Sequence, residues 1–410
     1  MPRHPNMPIE RSLSVAFVAT CPPRQCGIAT FSRDLERALR AADPSVLIQW
    51  AAINEATTLH LYGPEVRWRI RQGDPHTYRT AAENLNVAAV DVVSLQHEFG
   101  LYGIWGDPFE DHLASFLDVL EKPLVTTLHS VLSDPSPSVR TAVQRIAQRS
   151  AQLVVMAERA RSLLVQEYGV AEHQVCVIPH GVPPVHPHGR TRIKEQLDLA
   201  QRTIITTFGL VDPRKGLEYM IEAMHEVRQH DPKALYLIVG KTHPELVRRD
   251  GEAYRRQLWQ LVKERDLQHH VEFVDEYLTQ AQIVDYLLAS DVYVTPYLDP
   301  KQMTSGTLAY ALGAGKAIVS TPYPHAVEVL TADRGALVPF RSSAALATAT
   351  LRILGDPQLK RRFEREAYRY GRETAWPRVG ERMLDLLRSA AYPADVDGAI
   401  ANTLVGAISR

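Results

Sequence analysis

Cysteine is scarce in this chain. Cys21, Cys26 and Cys176 are its only three, too few for a disulfide framework and in keeping with a reducing, cytoplasmic setting. Cys21 and Cys26 stand five positions apart with no second pair to match them, which argues against a zinc site. An excess of either charge is lacking as well: 46 Lys+Arg against 47 Asp+Glu leave a formal net charge of −1. No sequence-wide basic field speaks for nucleic acid or an anionic membrane. No apolar run approaches the roughly 18 residues of a spanning helix, which leaves only peripheral contact with a membrane open. Residues 1–11 lack the apolar core of a signal peptide and read as a flexible leader. No Gly-x-Gly-x-x-Gly follows any candidate strand, which counts against a nicotinamide-dependent oxidoreductase.

What remains is an ordinary globular composition, 45% hydrophobic and 23% charged over 410 residues, too long for one core and suited to two domains. Apolar runs and amphipathic stretches alternate through both halves. In the first half, strands are expected at 12–19, 90–95, 123–128, 153–156 and 175–178, with helices at 31–41, 108–120 and 140–149. Residues 181–189, with three prolines, two histidines and two glycines, break all periodicity and read as the connection between domains. The alternation then restarts, with strands at 203–208, 234–239, 271–273, 290–295 and 317–321. Such alternation implies α/β architecture with parallel sheets covered on both faces. The expected division is a first domain at 12–185, a second at 186–376, a helix at 377–390 packing back on the first domain, and a tail at 391–410.

Polar residues gather where these strands end, the binding edge of such a sheet. In the first half these are Gly27, His97, Glu98, His129 and His180. In the second, Arg214 and Lys215 follow one strand, and Thr304, Ser305, Gly306 and Thr307 open the helix after another. Two cations and the free amides of a helix N-terminus suit a phosphate or diphosphate. Taken alone, Thr304 or Ser305 is equally a plain helix cap. His325 and Glu328 lie in a further strand-end loop.

The order of motifs resembles family 4 of the retaining glycosyltransferases (group 1), whose members carry two Rossmann-like domains facing a cleft, the GT-B fold. The resemblance covers roughly residues 12 to 388. It rests on Pro23-Arg24-Gln25-Cys26-Gly27-Ile28-Ala29-Thr30, Thr127-Leu128-His129, Ile178-Pro179-His180-Gly181, Phe208-Gly209 through Lys215-Gly216, Gly306 to Gly315, and Thr321 through Glu328 with Gly335-Ala336-Leu337-Val338-Pro339. It implies transfer with retention from a nucleoside-diphosphate sugar to a saccharide or other hydroxyl acceptor, without metal or cofactor. The donor would lie mainly on the second domain and the acceptor on the first. By the same resemblance Lys215 would meet the donor phosphates, and the amides of Thr304 to Thr307 would cradle the distal one. His129 would face the donor sugar, and Gly27 would leave room for phosphate and acceptor. His129, Lys215 and Glu328 form the expected catalytic group, Arg214 joins the phosphate site, and His97, Glu98, His180 and His325 are expected to touch acceptor or sugar.

Two departures stand out. The family's paired glutamates fall at Gln302 and Tyr310, and its loop arginine falls at Leu210. The second glutamate usually holds the nucleotide ribose, which a tyrosine cannot grip as a carboxylate does. A retaining glycoside phosphorylase on the same fold, using phosphate or a sugar 1-phosphate, is therefore the alternative. A sugar-nucleotide epimerase would need further acids and bases, and a silent sugar-binding protein would have no need of His129 and Lys215.

Overall fold

In the computed structural model, residues 12–393 are described apart from 56, 57, 59 and 332. The expected leader and all of the expected tail beyond 393 lie outside them. Seven strands form the first sheet: β1 (Ser14–Ala19), β2 (Leu47–Asn54), β3 (Val66–Arg71), β4 (Val92–His97), β5 (Leu124–Leu128), β6 (Gln152–Val155) and β7 (Val175–Val177). They run in the order β3-β2-β1-β4-β5-β6-β7, every neighbouring pair parallel. The second sheet holds β8 (Thr203–Phe208), β9 (Ala234–Val239), β10 (Val271–Val274), β11 (Val292–Thr295), β12 (Ile318–Ser320) and β13 (Ala336–Leu337), in the order β10-β9-β8-β11-β12-β13, again all parallel. β1, β4, β5, β9 and β11 are buried along their whole length, which is why they read as continuous apolar runs. In each sheet the order reverses beside the first strand, β1 or β8. Crevices open at the carboxyl ends of such strands, where ligands bind in this architecture.

Strands β2 and β3 and the two-residue β13 are absent from the expected set, and one expected helix is replaced. β3 is an edge strand, VRWRIR, whose three arginines, Arg67, Arg69 and Arg71, are exposed. The helix expected over 108–120 is instead a strand pair, Gly103–Ile104 with Glu110–Asp111, followed by one helical turn, Ala114–Leu117. Gly103 decides this: it sits at φ +147°, and a Cβ there would come within 1.9 Å of the Glu110 carbonyl.

The chain crosses between the sheets twice, side by side. Val182 donates to the Thr374 carbonyl at 3.0 Å, and Trp376 donates back to the Val182 carbonyl at 2.9 Å. The last helix, Trp376–Ala391, then lies against the first, Gly27–Ala42. Its face of Val379, Met383, Leu384 and Leu387 joins Leu35 and Leu39 in one apolar cluster, the i, i+4, i+8 spacing of a single helix stripe. Gly380 permits the approach, since a Cβ there would stand 2.6 Å from the Ala38 carbonyl. No helix among the described residues is long and apolar enough to cross a membrane.

Candidate active site

Between the two sheets lies a cavity of about 1140 Å³, larger than the roughly 300–1,000 Å³ of a single small-ligand pocket. Its second-domain wall is a cluster of hydroxyls, amides and one ammonium. β8 ends at Gly209, whose φ of +120° leaves no comfortable place for a side chain. A Cβ there would sit 3.0 Å from the Thr307 methyl and 3.5 Å from Lys215 Nζ. The bare backbone thus lets Lys215 and Thr307 converge. Lys215 Nζ donates to Tyr297 Oη at 2.5 Å and lies 4.0 Å from that ring's centroid. Tyr297 Oη is in turn 2.5 Å from Thr307 Oγ1. Burial brings the Lys215 pKa down to about 7, with Arg214 lowering it further and Asp212 opposing; desolvation disfavours the charged ammonium.

Ser305 caps the helix Gly306–Gly313: its hydroxyl accepts from the Leu308 amide at 3.3 Å. Its own amide donates to His325 Nδ1 at 2.9 Å. Ser305 is thus a helix cap that faces inward, while Thr304, Gly306 and Thr307 line the cavity. Arg214 also lines it, but its guanidinium is engaged by Asp212 through Nε at 2.9 Å and Nη2 at 3.0 Å. Lys215 makes no ion pair among the described residues.

The first-domain wall is built from the ends of β1, β4 and β5. Gly27 opens the helix after β1, and a Cβ there would meet no protein atom within 4 Å, so its backbone borders open space. Glu98, at the end of β4, accepts from Ser130 Oγ at 2.7 Å and from the Phe99 amide at 3.1 Å; burial raises its pKa, against those hydrogen bonds. His129 follows β5 and pairs through Nε2 with Gln96 Oε1 at 3.0 Å. Gln96 already donates from its nitrogen to Ser94 and Thr127, so the histidine nitrogen is the donor and Nδ1 keeps its lone pair. Burial lowers the His129 pKa to about 3, and the ring is neutral at physiological pH. His180 also lines the cavity, with Nδ1 donating to the Gly181 carbonyl at 2.8 Å. A Cβ on Gly306 would stand 2.8 Å from His180 Nε2, so glycine at 306 lets the two domains meet there.

Three expected site residues are placed elsewhere. His97 is buried beneath the cavity wall, stacked on Tyr102 at 5.4 Å and edge-on to Phe99 at 5.0 Å. His325 is buried as the acceptor for the Ser305 amide. Glu328 does not line the cavity: its two oxygens accept from the amides of Glu158 and Arg159 at 2.8 and 3.1 Å. A carboxylate at the N-terminus of the helix Glu158–Tyr168 is held by free amides and the helix dipole. It thereby ties the second domain to the first.

Two family models match the chain: one described as glycosyl transferases group 1, over residues 189–370, and one as glycosyltransferase family 4, over residues 26–186. This chain belongs to the group 1, family 4 glycosyltransferases. A phosphatidyl-myo-inositol mannosyltransferase of Mycolicibacterium smegmatis is 25% identical over 293 residues, covering 69% of this chain and 70% of that protein. A GDP-mannose-dependent monoacylated alpha-(1-6)-phosphatidylinositol monomannoside mannosyltransferase of Corynebacterium glutamicum is 23% identical over 392 residues, covering 90% and 96%. Among solved structures, Anabaena Alr3699/HepE in complex with UDP and glucose superimposes with a TM-score of 0.71 at 16% identity, covering 92% of this chain and all of that one. The GT-B fold follows from such likeness.

In this glycosyltransferase the position of the second family glutamate holds a contact that the sequence did not reveal. Tyr310 Oη donates to Asp34 Oδ2 at 3.1 Å, and Gln280 Nε2 donates to the same oxygen at 2.8 Å. Asp34 comes from the first domain; Tyr310 and Gln280 come from the second. Burial raises the Asp34 pKa, opposed by Tyr310, Arg37 and Gln280. A second bridge runs between Thr30 Oγ1 and Tyr277 Oη at 3.3 Å. Asp34 and Thr30 lie four positions apart on one helix, a spacing visible in the sequence, but nothing there names their partners. Tyr297 was missed too, although it directly follows the strand and Pro296; its ring reads as core until Lys215 is placed against it.

Proposed function

We propose that the protein is a retaining, metal-independent, cytoplasmic glycosyltransferase. It moves a sugar from a nucleoside-diphosphate sugar to a hydroxyl of a saccharide or other acceptor. The observation that carries this reading is the Lys215–Tyr297–Thr307 cluster beside the Gly306 and Thr307 amides, facing His129 and Glu98 across the cleft. When the bond between the anomeric carbon and the phosphate oxygen breaks, negative charge grows on the phosphate. Lys215 and preorganised amides meet that charge, which removes the need for a divalent cation. The departing phosphate oxygen takes the acceptor's proton, and the acceptor oxygen bonds the carbon from the same face. Neutral His129 suits a place beside the positive charge growing at that carbon, where an imidazolium would repel it. Glu98 and the Ser130 hydroxyl, whose proton is given to Glu98, offer acceptor lone pairs to sugar hydroxyls.

A panel of UDP-, GDP- and ADP-sugars, sugar 1-phosphates and phosphate, read by thermal shift with and without chelator, tests the donor class. GDP-mannose and UDP-glucose are the first members to try, given the relatives. The anomeric configuration of the product, read by NMR, tests retention. A donor panel in which only phosphate and sugar 1-phosphates stabilise the protein would favour the second reading, a retaining glycoside phosphorylase. One observation supports that reading: Tyr310, at the usual ribose-binding position, has its hydroxyl committed to Asp34.

A further inference from the structure

Outside the cleft, on the first domain, a shallow groove of about 430 Å³ lies between the strand Glu110–Asp111 and the helix Pro137–Arg149. Phe109 forms one wall, Ser138 and Thr141 bring hydroxyls, and Asp111 and Arg145 bring opposite charges. Arg145 is exposed and hydrogen-bonds to no protein group among the described residues, while its field acts on Asp111. We propose that this groove is a second saccharide subsite, which holds the distal units of an acceptor whose reacting end lies in the cleft. The inference rests on the glycosyltransferase reading.

Continuity with the cleft is the first argument. Glu98 lines the cleft, and the next residue, Phe99, stacks on Trp105 with centroids 5.0 Å apart and planes at 28°. Trp105 meets Phe109 edge-on at 6.0 Å. The three rings therefore link the cleft wall to the groove, with Phe99 as a buried support and Trp105 and Phe109 nearer the surface. Trp105 is 51% exposed and Ile104 beside it 49%, so an indole is offered to solvent at the middle of the path. Indole and phenyl rings carry a large apolar surface with a polar edge. They match the C–H faces of pyranose rings.

The second argument is that the platform is braced. Gly103 holds the strand pair closed, as its φ of +147° and the 1.9 Å approach to Glu110 require. His112 donates from its amide to the Tyr102 carbonyl at 2.8 Å, and its Nδ1 lies 3.1 Å from the Gln72 carbonyl. A rigid aromatic surface loses little entropy on binding.

The third is the chemistry of the groove. A lipid tail or an apolar helix would strand Asp111 and Arg145 without water, which is costly. A polyol satisfies both, since its hydroxyls donate to the carboxylate and accept from the guanidinium. At about 430 Å³ the groove reaches the roughly 300 Å³ at which small-molecule pockets begin.

The test compares the wild-type protein with Trp105→Ala, Trp105→Phe and Arg145→Gln. Gluco- and manno-oligosaccharides of one to four units are titrated by tryptophan fluorescence and used as acceptors. Tri- and tetrasaccharides are expected to shift the wild-type fluorescence. With Trp105→Ala their KM should rise about tenfold, one lost aromatic contact of roughly 1.4 kcal/mol, and Trp105→Phe should rescue it in part. Monosaccharide KM and donor hydrolysis should be unchanged in all variants. The proposal is overturned if no oligosaccharide perturbs the wild-type fluorescence, or if short and long acceptors lose equally. It is also overturned if Trp105→Ala instead abolishes binding to phosphatidylglycerol vesicles, which would make the tryptophan a membrane contact. Intact donor hydrolysis with a failed subsite leaves the transferase reading standing, whereas failure of the donor panel removes that reading itself.

Discussion

The two walls of the cleft are made by the same device and carry opposite chemistry. Each places loops at the carboxyl ends of parallel strands around a reversal of strand order. The second-domain wall gathers Lys215, Tyr297 and Thr307 with the start of a helix, a set that favours an anion. The first-domain wall gathers neutral histidines and carboxyl groups with raised pKa values, among them Glu98 and Asp34. Arg24, Arg33 and Arg37 also line this wall, but each is paired with a carboxylate, so it offers a phosphate less free positive charge than the other wall. The fold supplies two equivalent edges, and side-chain chemistry makes them differ.

The sharpest way to break this contrast is to remove the ammonium. Lys215→Ala should weaken a phosphate-bearing donor by about 1.5–3 kcal/mol, the worth of a charge-assisted hydrogen bond, as read by calorimetry. Unchanged affinity would take Lys215 out of the site. The same residue gives a pH signature. Its folded pKa of about 7 lies below the ordinary lysine value of 10.5, so the unfolded chain binds more protons between those values. This group's contribution to the stability of the free protein therefore rises from about pH 7 to 10.5 and is lost as pH falls through 7. Donor binding runs the other way, because phosphate needs the ammonium: affinity should fall above pH 7, by at most about tenfold per unit. Lys215→Met should flatten that slope.

On the opposite wall, His129→Ala should reduce kcat by about a hundredfold, the usual loss for a preorganised group facing developing charge, with donor affinity little changed. Equal loss in both would make it a binding residue. At the joint between the walls, Gly380→Val would force a side chain against the Ala38 carbonyl, 2.6 Å from the new Cβ. Overpacking of this kind costs about 1–3 kcal/mol; urea unfolding would show it, and an unchanged midpoint would mean that the two helices part freely. The smallest effect is expected where the walls touch. Tyr310→Phe removes one hydrogen bond to Asp34, about 0.5–1.5 kcal/mol, seen as a slightly lower Tm without donor. A gain in nucleotide-sugar affinity for Tyr310→Glu would show that this position keeps its usual family preference.

Much of the architecture was legible because buried parallel strands are nearly pure apolar runs; β4, β5, β8, β9 and β11 stand out in this way. β3 did not, since an edge strand alternates and carries arginine. The strand pair at 103–111 was misread as helix because its apolar spacing over 108–120 suits either element, and Gly103's backbone angle is not written in its neighbours. Among site residues, Lys215, Thr307 and His129 could be placed at strand ends by counting. His97, His325 and Glu328 satisfied the same criterion but are engaged in ring stacking, support of an amide and the end of another helix. Position at a strand end fixes an edge, but the rotamer and the nearest partner decide which way the side chain turns.

The amino-acid sequence by itself determined two α/β units, their parallel sheets and the family, because periodicity and motif order are properties of the chain alone. Tertiary structure decided what no local pattern encodes. It set Tyr297 against Lys215, spent the Ser305 amide on His325, and joined Asp34 to Gln280 and Tyr310 across the cleft. Those pairs lie 82, 20, 246 and 276 residues apart. The first two need the second sheet folded and the last two need both sheets docked, since the fit of surfaces selects them.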